Sequence, residues 1–240
     1  MIVVTVMVSL IVCLFLIVWV SAILVDTSKE YDTQSKYYRF LVNFLTWIVV
    51  HVSNVRIEVH GEEKLPKSGQ VLLVQNHRSN YDPILTWYAI KNYDFAFLSK
   101  GENMEIPIIN SLVRKCCFMT IDRDNPKNAM KAIMRAARLI ENNEVSIGIY
   151  PEGTRNQNYQ TGLLPFHNGV FKIAQLAKSP IVATTIRGTE KIAKNAPFKR
   201  TKIVIDIVDV IMPEEINRVR TNVIGDRIIE KMNEVLVTEE

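Results

Sequence analysis

A histidine and an aspartate five positions apart can share a proton only if the chain turns between them. His77 and Asp82 stand in that relation within Asn76-His77-Arg78-Ser79-Asn80-Tyr81-Asp82-Pro83. On a regular helix the two side chains would lie about 140° apart, so they can meet only across a turn. The order of residues predicts one, with Asp82 as the N-cap of a helix and Pro83 at its first position. A carboxylate has acceptor sites enough to hold a backbone N–H of that helix and still accept from His77. A histidine held in this way is a general base with a fixed tautomer. The spacing alone is weak, because many structural histidines share it.

Three further groups have chemical potential. Tyr150-Pro151-Glu152-Gly153-Thr154-Arg155 follows an apolar run and reads as a tight turn at a strand end, where α/β proteins place ligands. Arg155 has the planar fork that grips phosphate through two hydrogen bonds. An ordinary turn with Glu152 paired to Arg155 would look the same. Ile121-Asp122-Arg123 ends a second apolar run with the same two readings, and Lys100 follows a third.

The elements that must position these groups alternate. Strands are predicted at 55–60, 71–75, 95–99, 117–121, 145–150, 181–186 and 202–210, and helices at 83–92, 108–114, 128–141, 168–178 and 222–237. Short apolar strands alternating with helices predict an α/β domain with a single mixed or mostly parallel sheet covered by helices. The predicted organisation is a hydrophobic anchoring region over 1–52 and an α/β domain over 53–240.

Residues 1–25 carry no charged side chain. As a helix they would reach roughly 37 Å at ~1.5 Å per residue, enough for a hydrocarbon core of ~30 Å. No Lys or Arg precedes the run, and no small-x-small site follows it clearly, so it reads as a membrane anchor rather than a cleaved signal. A second apolar segment, 37–52, is short for a span. Arg39, Asn43 and Thr46 fall along one stripe of it, and it reads as a helix at or dipping into the membrane surface, with a core helix as the competing reading.

The net charge of +4 suits an anionic membrane surface or phosphate-bearing ligands and is too weak to argue for nucleic acid. Three cysteines make no disulfide framework, and the catalytic domain is expected in the cytosol, on the cytoplasmic side of the cell membrane. The four histidines are scattered and no His-Glu-x-x-His occurs, so no metal is called for. His51, His60 and His167 read as structural or surface residues. Lys127, Lys131, Arg135 and Arg138 form a basic stripe on the 128–141 helix, read first as a solvated face. A second basic patch holds Lys191, Lys194, Lys199, Arg200 and Lys202. Either patch could instead meet anionic lipid or an acidic protein.

In order, these segments resemble the glycerolipid acyltransferase family, in particular its bacterial 1-acylglycerol-3-phosphate acyltransferases. Asn76-His77 through Asp82 is similar to that family's first block, Phe118 to Arg123 to its second, and Tyr150 to Arg155 to its third, with Tyr for Phe. Pro180 to Ile186 is similar to its fourth block, with Ala183 where a proline is usual, and His167 stands where lysine is expected. The resemblance implies that His77 deprotonates the free hydroxyl of lysophosphatidic acid. The oxygen then attacks an acyl thioester carried by coenzyme A or an acyl carrier protein. Asp82 would orient His77. Arg155, Lys100 and Arg123 would hold the acceptor's phosphate, with Glu152, Gly153 and Thr154 shaping the pocket. No cofactor beyond the thioester co-substrate is implied. A thioester is already activated, so the required work is deprotonation, positioning and charge stabilisation. The absence of a G-x-S-x-G elbow agrees with direct transfer. Three rivals remain: an acyltransferase for glycerol 3-phosphate or another lysophospholipid, a non-catalytic membrane-anchored lipid binder, and a thioesterase-like hydrolase using Cys116 or Cys117.

Overall fold

The computed structural model describes all residues except 101–106, 123–124 and 238–240, together with the side chains of Lys100 and Thr161. Seven strands form a single sheet: β1 (Val55–His60), β2 (Leu72–Gln75), β3 (Phe95–Lys100), β4 (Met119–Ile121), β5 (Ser146–Ile149), β6 (Ile181–Arg187) and β7 (Thr201–Ile211). Their spatial order is β1-β7-β6-β2-β5-β3-β4. Every neighbouring pair is parallel except β6 and β7. The carboxyl ends of β2, β3, β5 and β6 therefore share one end of the sheet with the amino ends of β1 and β7.

β2 and β5 lie at the centre and are buried at every position. Their runs are continuous rather than alternating because helices cover both faces. On one face α5 (Pro126–Glu141), α6 (Lys172–Ala177) and α9 (Thr221–Val237) close over Leu72, Val74, Ile147, Ile149, Ile181 and Ala183. On the other, α3 (Asp82–Ala89) and the end of α2 (Lys36–Val52) cover Leu73, Phe95, Phe97 and Val182. The remaining helices are α1 (Ile2–Ile23), α4 (Pro107–Arg114), α7 (Ile192–Asn195) and α8 (Pro213–Ile216). The predicted 168–178 helix divides into a 3₁₀ turn, Asn168–Phe171, and α6. The predicted strand at 117 begins two residues later, because Cys117 takes a left-handed turn at φ 66°.

α1 is long and apolar enough to cross a membrane, and its amino-terminal half is exposed. Its carboxyl-terminal end docks, with Val18 packed against the domain. Ala22 joins Leu41, Val42, Leu112, Val113 and Cys116 in a third apolar cluster, and Ser21 Oγ lies 2.6 Å from the Tyr37 hydroxyl. α2 turns its polar stripe inward. Arg39, 6% exposed, donates to the carbonyl of Phe95 at 2.7 Å and lies 4.2 Å from the Trp87 ring, whose N–H donates to Asn43 at 2.6 Å. The apolar side chains Tyr37, Phe40, Phe44 and Trp47 point outward instead. Leu41, Val42 and Val50 face the domain beside that stripe, and the outward aromatic face suits a helix whose outer side meets lipid.

The linker between the two helices is tied to the domain by Arg135, one of the four cations read from sequence as a solvated stripe. Arg135 is 4% exposed and donates to Asp32 and to the carbonyl of Tyr31, each at 2.6 Å. The stripe reading fails here because the cation's partners lie 103 and 104 residues away, beyond any helical pattern.

Two glycines with φ near +80° separate backbone strain from crowding. A Cβ at Gly188 would stand 2.3 Å from the Lys202 carbonyl oxygen, whereas one at Gly69 would meet nothing within 4 Å. Gly69→Ala should leave stability within about 1 kcal/mol of wild type, strain being partly offset by the stiffer unfolded chain. Gly188→Ala should cost about 2–3 kcal/mol, since backbone must move to admit the methyl group. Denaturant midpoints of the two variants check the difference.

Candidate active site

β2 delivers the loop that carries His77, and the residue after the strand locks that loop in place. Asn76 donates to the Ile186 carbonyl at 3.0 Å and accepts from the Ile186 N–H at 2.7 Å. A side-chain amide thus continues the β2–β6 ladder for one more step, at a position 2% exposed. His77 follows with a fixed Cα. Its N–H donates to Glu152 Oε1 at 2.7 Å, and its carbonyl accepts from the Asn156 N–H at 2.7 Å. The turn after β5 therefore grips the His77 backbone from both sides, which joins the first and third sequence blocks physically.

The His77 side chain is 12% exposed. One ring face stacks on Tyr150, with centroids 4.2 Å apart and planes at 21°, and Tyr150 stacks in turn on Phe97 at 5.8 Å and 7°. Its Nδ1 lies 2.7 Å from Asp82 Oδ2. That same oxygen accepts the N–H groups of Arg78 at 2.6 Å and Ser79 at 2.8 Å. Backbone amides can only donate, so Oδ2 acts as an acceptor and the imidazole proton belongs on Nδ1. Nε2 is then the basic nitrogen. The Asp82 side chain is 0% exposed.

Asp82 is not the N-cap of α3. The cap position falls on Tyr81, with helical φ and ψ, and Asp82 is the first helical residue with Pro83 next. The carboxylate points back to Arg78 and Ser79 rather than forward into the helix. The chain makes a turn at Ser79, whose carbonyl accepts the Asp82 N–H at 3.1 Å, and this turn carries the amides to the carboxylate.

Glu152 is 4% exposed and uses both oxygens on backbone, the second accepting from Leu164 N–H at 2.9 Å. Burial raises its pKa above the ordinary value, and the two N–H donors oppose that rise. It does not pair with Arg155, which is exposed, as is Thr154. Gly153 takes φ 76° and donates its N–H to the Tyr150 carbonyl at 3.0 Å, closing the turn. Arg155 is thereby carried one residue before Asn156, the residue bonded to His77. Arg123 lies outside the described residues, as does the side chain of Lys100. The ends of their strands are neighbours, with Lys100 opposite Ile121.

Sequence reading missed three positioning groups. Asn76 opens the first block and Asn156 follows the third, but a short polar residue gives no sign of the backbone it will bond. The Arg78 side chain is almost fully enclosed, its guanidinium 4.5 Å from the Tyr159 ring and 3.9 Å from Glu190. Its place inside the first block was the available signal. Tyr150 brings a hydroxyl whose oxygen is sealed from solvent, and burial holds its ionisation well above the ordinary range, so it supplies a ring face rather than a proton. Burial also pushes the Cys116 and Cys117 thiols up to about 11 and about 12, which leaves no thiolate for a nucleophilic cysteine at neutral pH. Among the described residues no three His, Cys, Asp or Glu side chains gather to hold a metal ion.

The structure thus presents a carboxylate-oriented histidine beside the turn that carries Arg155, at the carboxyl end of the central strands. Residues 56–187 match the Acyltransferase family model, more than half of the chain, and the chain belongs to that family. It is 27% identical over 196 residues to a 1-acyl-sn-glycerol-3-phosphate acyltransferase of Borreliella burgdorferi, covering 79% of this chain and 77% of that one. It is 30% identical over 153 residues to the enzyme of the same name from Streptococcus pneumoniae, covering 63% of this chain and 53% of that one. Against that relative the chain thus spans about half the length. The crystal structure of the 1-acyl-sn-glycerophosphate acyltransferase PlsC from Thermotoga maritima shares the fold, with a TM-score of 0.64, 21% identity, and coverage of 91% of this chain and 87% of that one.

The raised pKa of Glu152 has a sign that can be measured. The folded chain holds this proton more tightly than the unfolded chain, whose carboxyl titrates near 4.5. Its contribution to stability is therefore greatest in acid, falls as pH rises through 4.5, and levels off above the raised folded value. Glu152→Gln removes that slope. Urea midpoints from acidic to neutral pH should show the wild type losing its advantage over the variant as pH rises. Parallel curves would place the shift elsewhere.

Proposed function

We propose that this chain transfers a fatty acyl group from an acyl thioester to the free sn-2 hydroxyl of 1-acylglycerol 3-phosphate, giving phosphatidic acid. The observation that carries the reading is the 2.7 Å contact between His77 Nδ1 and a fully buried Asp82, which directs the basic nitrogen away from the carboxylate. A phosphate-binding protein without catalysis has no use for that pair. The names of the relatives support the acceptor.

In this reading the acceptor hydroxyl gives its proton to His77 Nε2 as its oxygen attacks the thioester carbonyl. The resulting imidazolium is stabilised by Asp82. Collapse of the tetrahedral adduct breaks the C–S bond, and the leaving sulfur takes the proton from His77, so that an ester and a free thiol result. Arg155, with Lys100 and Arg123, holds the acceptor's phosphate. Glu152 and Gly153 hold the turn in which Arg155 and Thr154 are exposed. The thiol carrier is coenzyme A or an acyl carrier protein. α1 anchors the chain in the cell membrane, with the catalytic domain on the cytoplasmic side.

The test is acyl transfer from acyl-CoA and from acyl carrier protein to lysophosphatidic acid, in membranes containing wild type or variant. His77→Ala should lower the rate at least ~100-fold, the scale of removing a general base. Arg155→Ala should raise the KM for lysophosphatidic acid and leave the KM for the thioester unchanged. Equal rates from wild type and His77→Ala would overturn the mechanism.

A further inference from the structure

The loop joining α7 to β7 presents an apolar side chain to solvent more fully than any residue of α1 does. Phe198 is 95% exposed, against at most 79% within the anchor helix. This is not a frayed tip. The Lys199 N–H donates to the Asn195 carbonyl at 2.8 Å, and Asn195 Nδ2 donates to Thr201 Oγ1 at 2.9 Å. Asn54 then ties the loop to the end of α2, donating to the Pro197 carbonyl and accepting from the Thr201 N–H, each at 3.1 Å.

Around Phe198 the chain is wholly cationic. Residues 191–202 contain Lys191, Lys194, Lys199, Arg200 and Lys202, all exposed, and no acidic residue. Lys202 is partly neutralised by Glu58 at 2.8 Å. An exposed aromatic ring rimmed by cations is the chemistry of an anionic bilayer surface, where the ring enters the headgroup region and the cations meet lipid phosphates.

Position decides the partner. Arg187 of β6 lies opposite Val204 of β7, and Gln75 of β2 opposite Thr184 of β6. The loop before Thr201 therefore sits at the same end of the sheet as His77. α2 runs the height of the sheet to reach that end. Arg39 in its first turn bonds the carbonyl of Phe95 at the start of β3, and the segment just past its last residue, Val52, holds the Phe198 loop through Asn54. Val52 is 62% exposed, and the outward stripe of Phe40, Phe44 and Trp47 leads toward it.

We propose that the 196–200 loop is a second membrane contact, in which Phe198 enters the headgroup layer of an anionic bilayer and Lys194, Lys199 and Arg200 bind its phosphates. This contact seats the catalytic end of the sheet against the surface from which an amphipathic acceptor must come. It rests on the membrane anchoring by α1 stated above.

The test uses the full chain with Cys13→Ser, the other two cysteines being buried. A single cysteine carrying an environment-sensitive fluorophore is placed at Phe198, at Phe15 in α1, or at Ser68, which is exposed at the opposite end of the sheet. The chains are reconstituted in phosphatidylcholine vesicles with or without phosphatidylglycerol, with quencher-bearing lipids. The expected result is quenching at 198 at least twofold above that at 68, strengthened by phosphatidylglycerol and weakened by salt, while the probe at 15 is quenched throughout. Quenching at 15 with none at 198 overturns the proposal and leaves the anchor intact. An absence of quenching at 15 and 198 alike removes the anchor reading and the proposal together. A response at 198 to an acidic carrier protein, without lipid quenching, makes the loop a protein-docking face and overturns the proposal.

Discussion

A carboxylate with no exposure to water must collect hydrogen bonds from the protein or lose its charge, and the 77–82 loop takes its shape from that demand. Three donors converge on Asp82 Oδ2, the imidazole of His77 and the amides of Arg78 and Ser79, while Oδ1 is buried without a hydrogen-bond partner. The two amides can reach Oδ2 only if the chain doubles back between 77 and 82. The turn, the start of α3 and the tautomer of His77 thus follow from one buried charge. The same argument explains why the carboxylate serves the preceding turn rather than the helix that contains it. α3 begins with Pro83 in its first turn, so one of the amides that a cap would satisfy does not exist.

The loop is also held from outside, by the side chains of Asn76 and Glu152 and by the main-chain N–H of Asn156. Asn76 extends a parallel ladder past the end of β2, and Glu152 and Asn156 treat His77 as a strand neighbour. Each is buried, and each would cost free energy if its partner moved. The turn after β5 consequently has two duties. It fixes the His77 backbone through Glu152 and Asn156, and it places Arg155 in solvent beside that backbone. Candidate base and candidate phosphate ligand are registered to each other through one short turn, whose Glu152 carboxylate and Asn156 N–H both hold the His77 backbone.

Much of this could be read from sequence. The strands and the larger helices follow from short apolar runs and helical spacing, which are local. The His77–Asp82 relation is also local, five residues across a turn. What escaped reading depends on distant partners. Arg135 looks like a solvated cation until Asp32 and Tyr31 are brought to it, and the inward stripe of α2 makes sense only once Trp87 and the Phe95 carbonyl are in place. The stacking of Tyr150 on His77 belongs to the same class, since periodicity assigns both to strand ends and says nothing of which ends are neighbours. Local pattern specifies elements, whereas long-range pairing decides which polar groups are structural.

Those distant pairs share a physical role. Arg39 and Arg135 sit in buried positions and bind the segments around α1 and α2 to the α/β domain, one through α2 and one through the linker. Burying guanidinium groups is costly, and apolar packing of similar volume would hold the segments as firmly. A fork of directed donors fixes orientation as well as contact, because its hydrogen bonds are satisfied in one arrangement. For a domain tethered by an apolar helix, orientation is the harder constraint. A flexible tether would let the carboxyl end of the sheet face any direction, whereas a docked linker and a helix running the height of the sheet give that end a fixed aspect toward the anchor. The buried arginines are best understood as setting that aspect, so that His77 keeps a fixed orientation relative to the apolar helix.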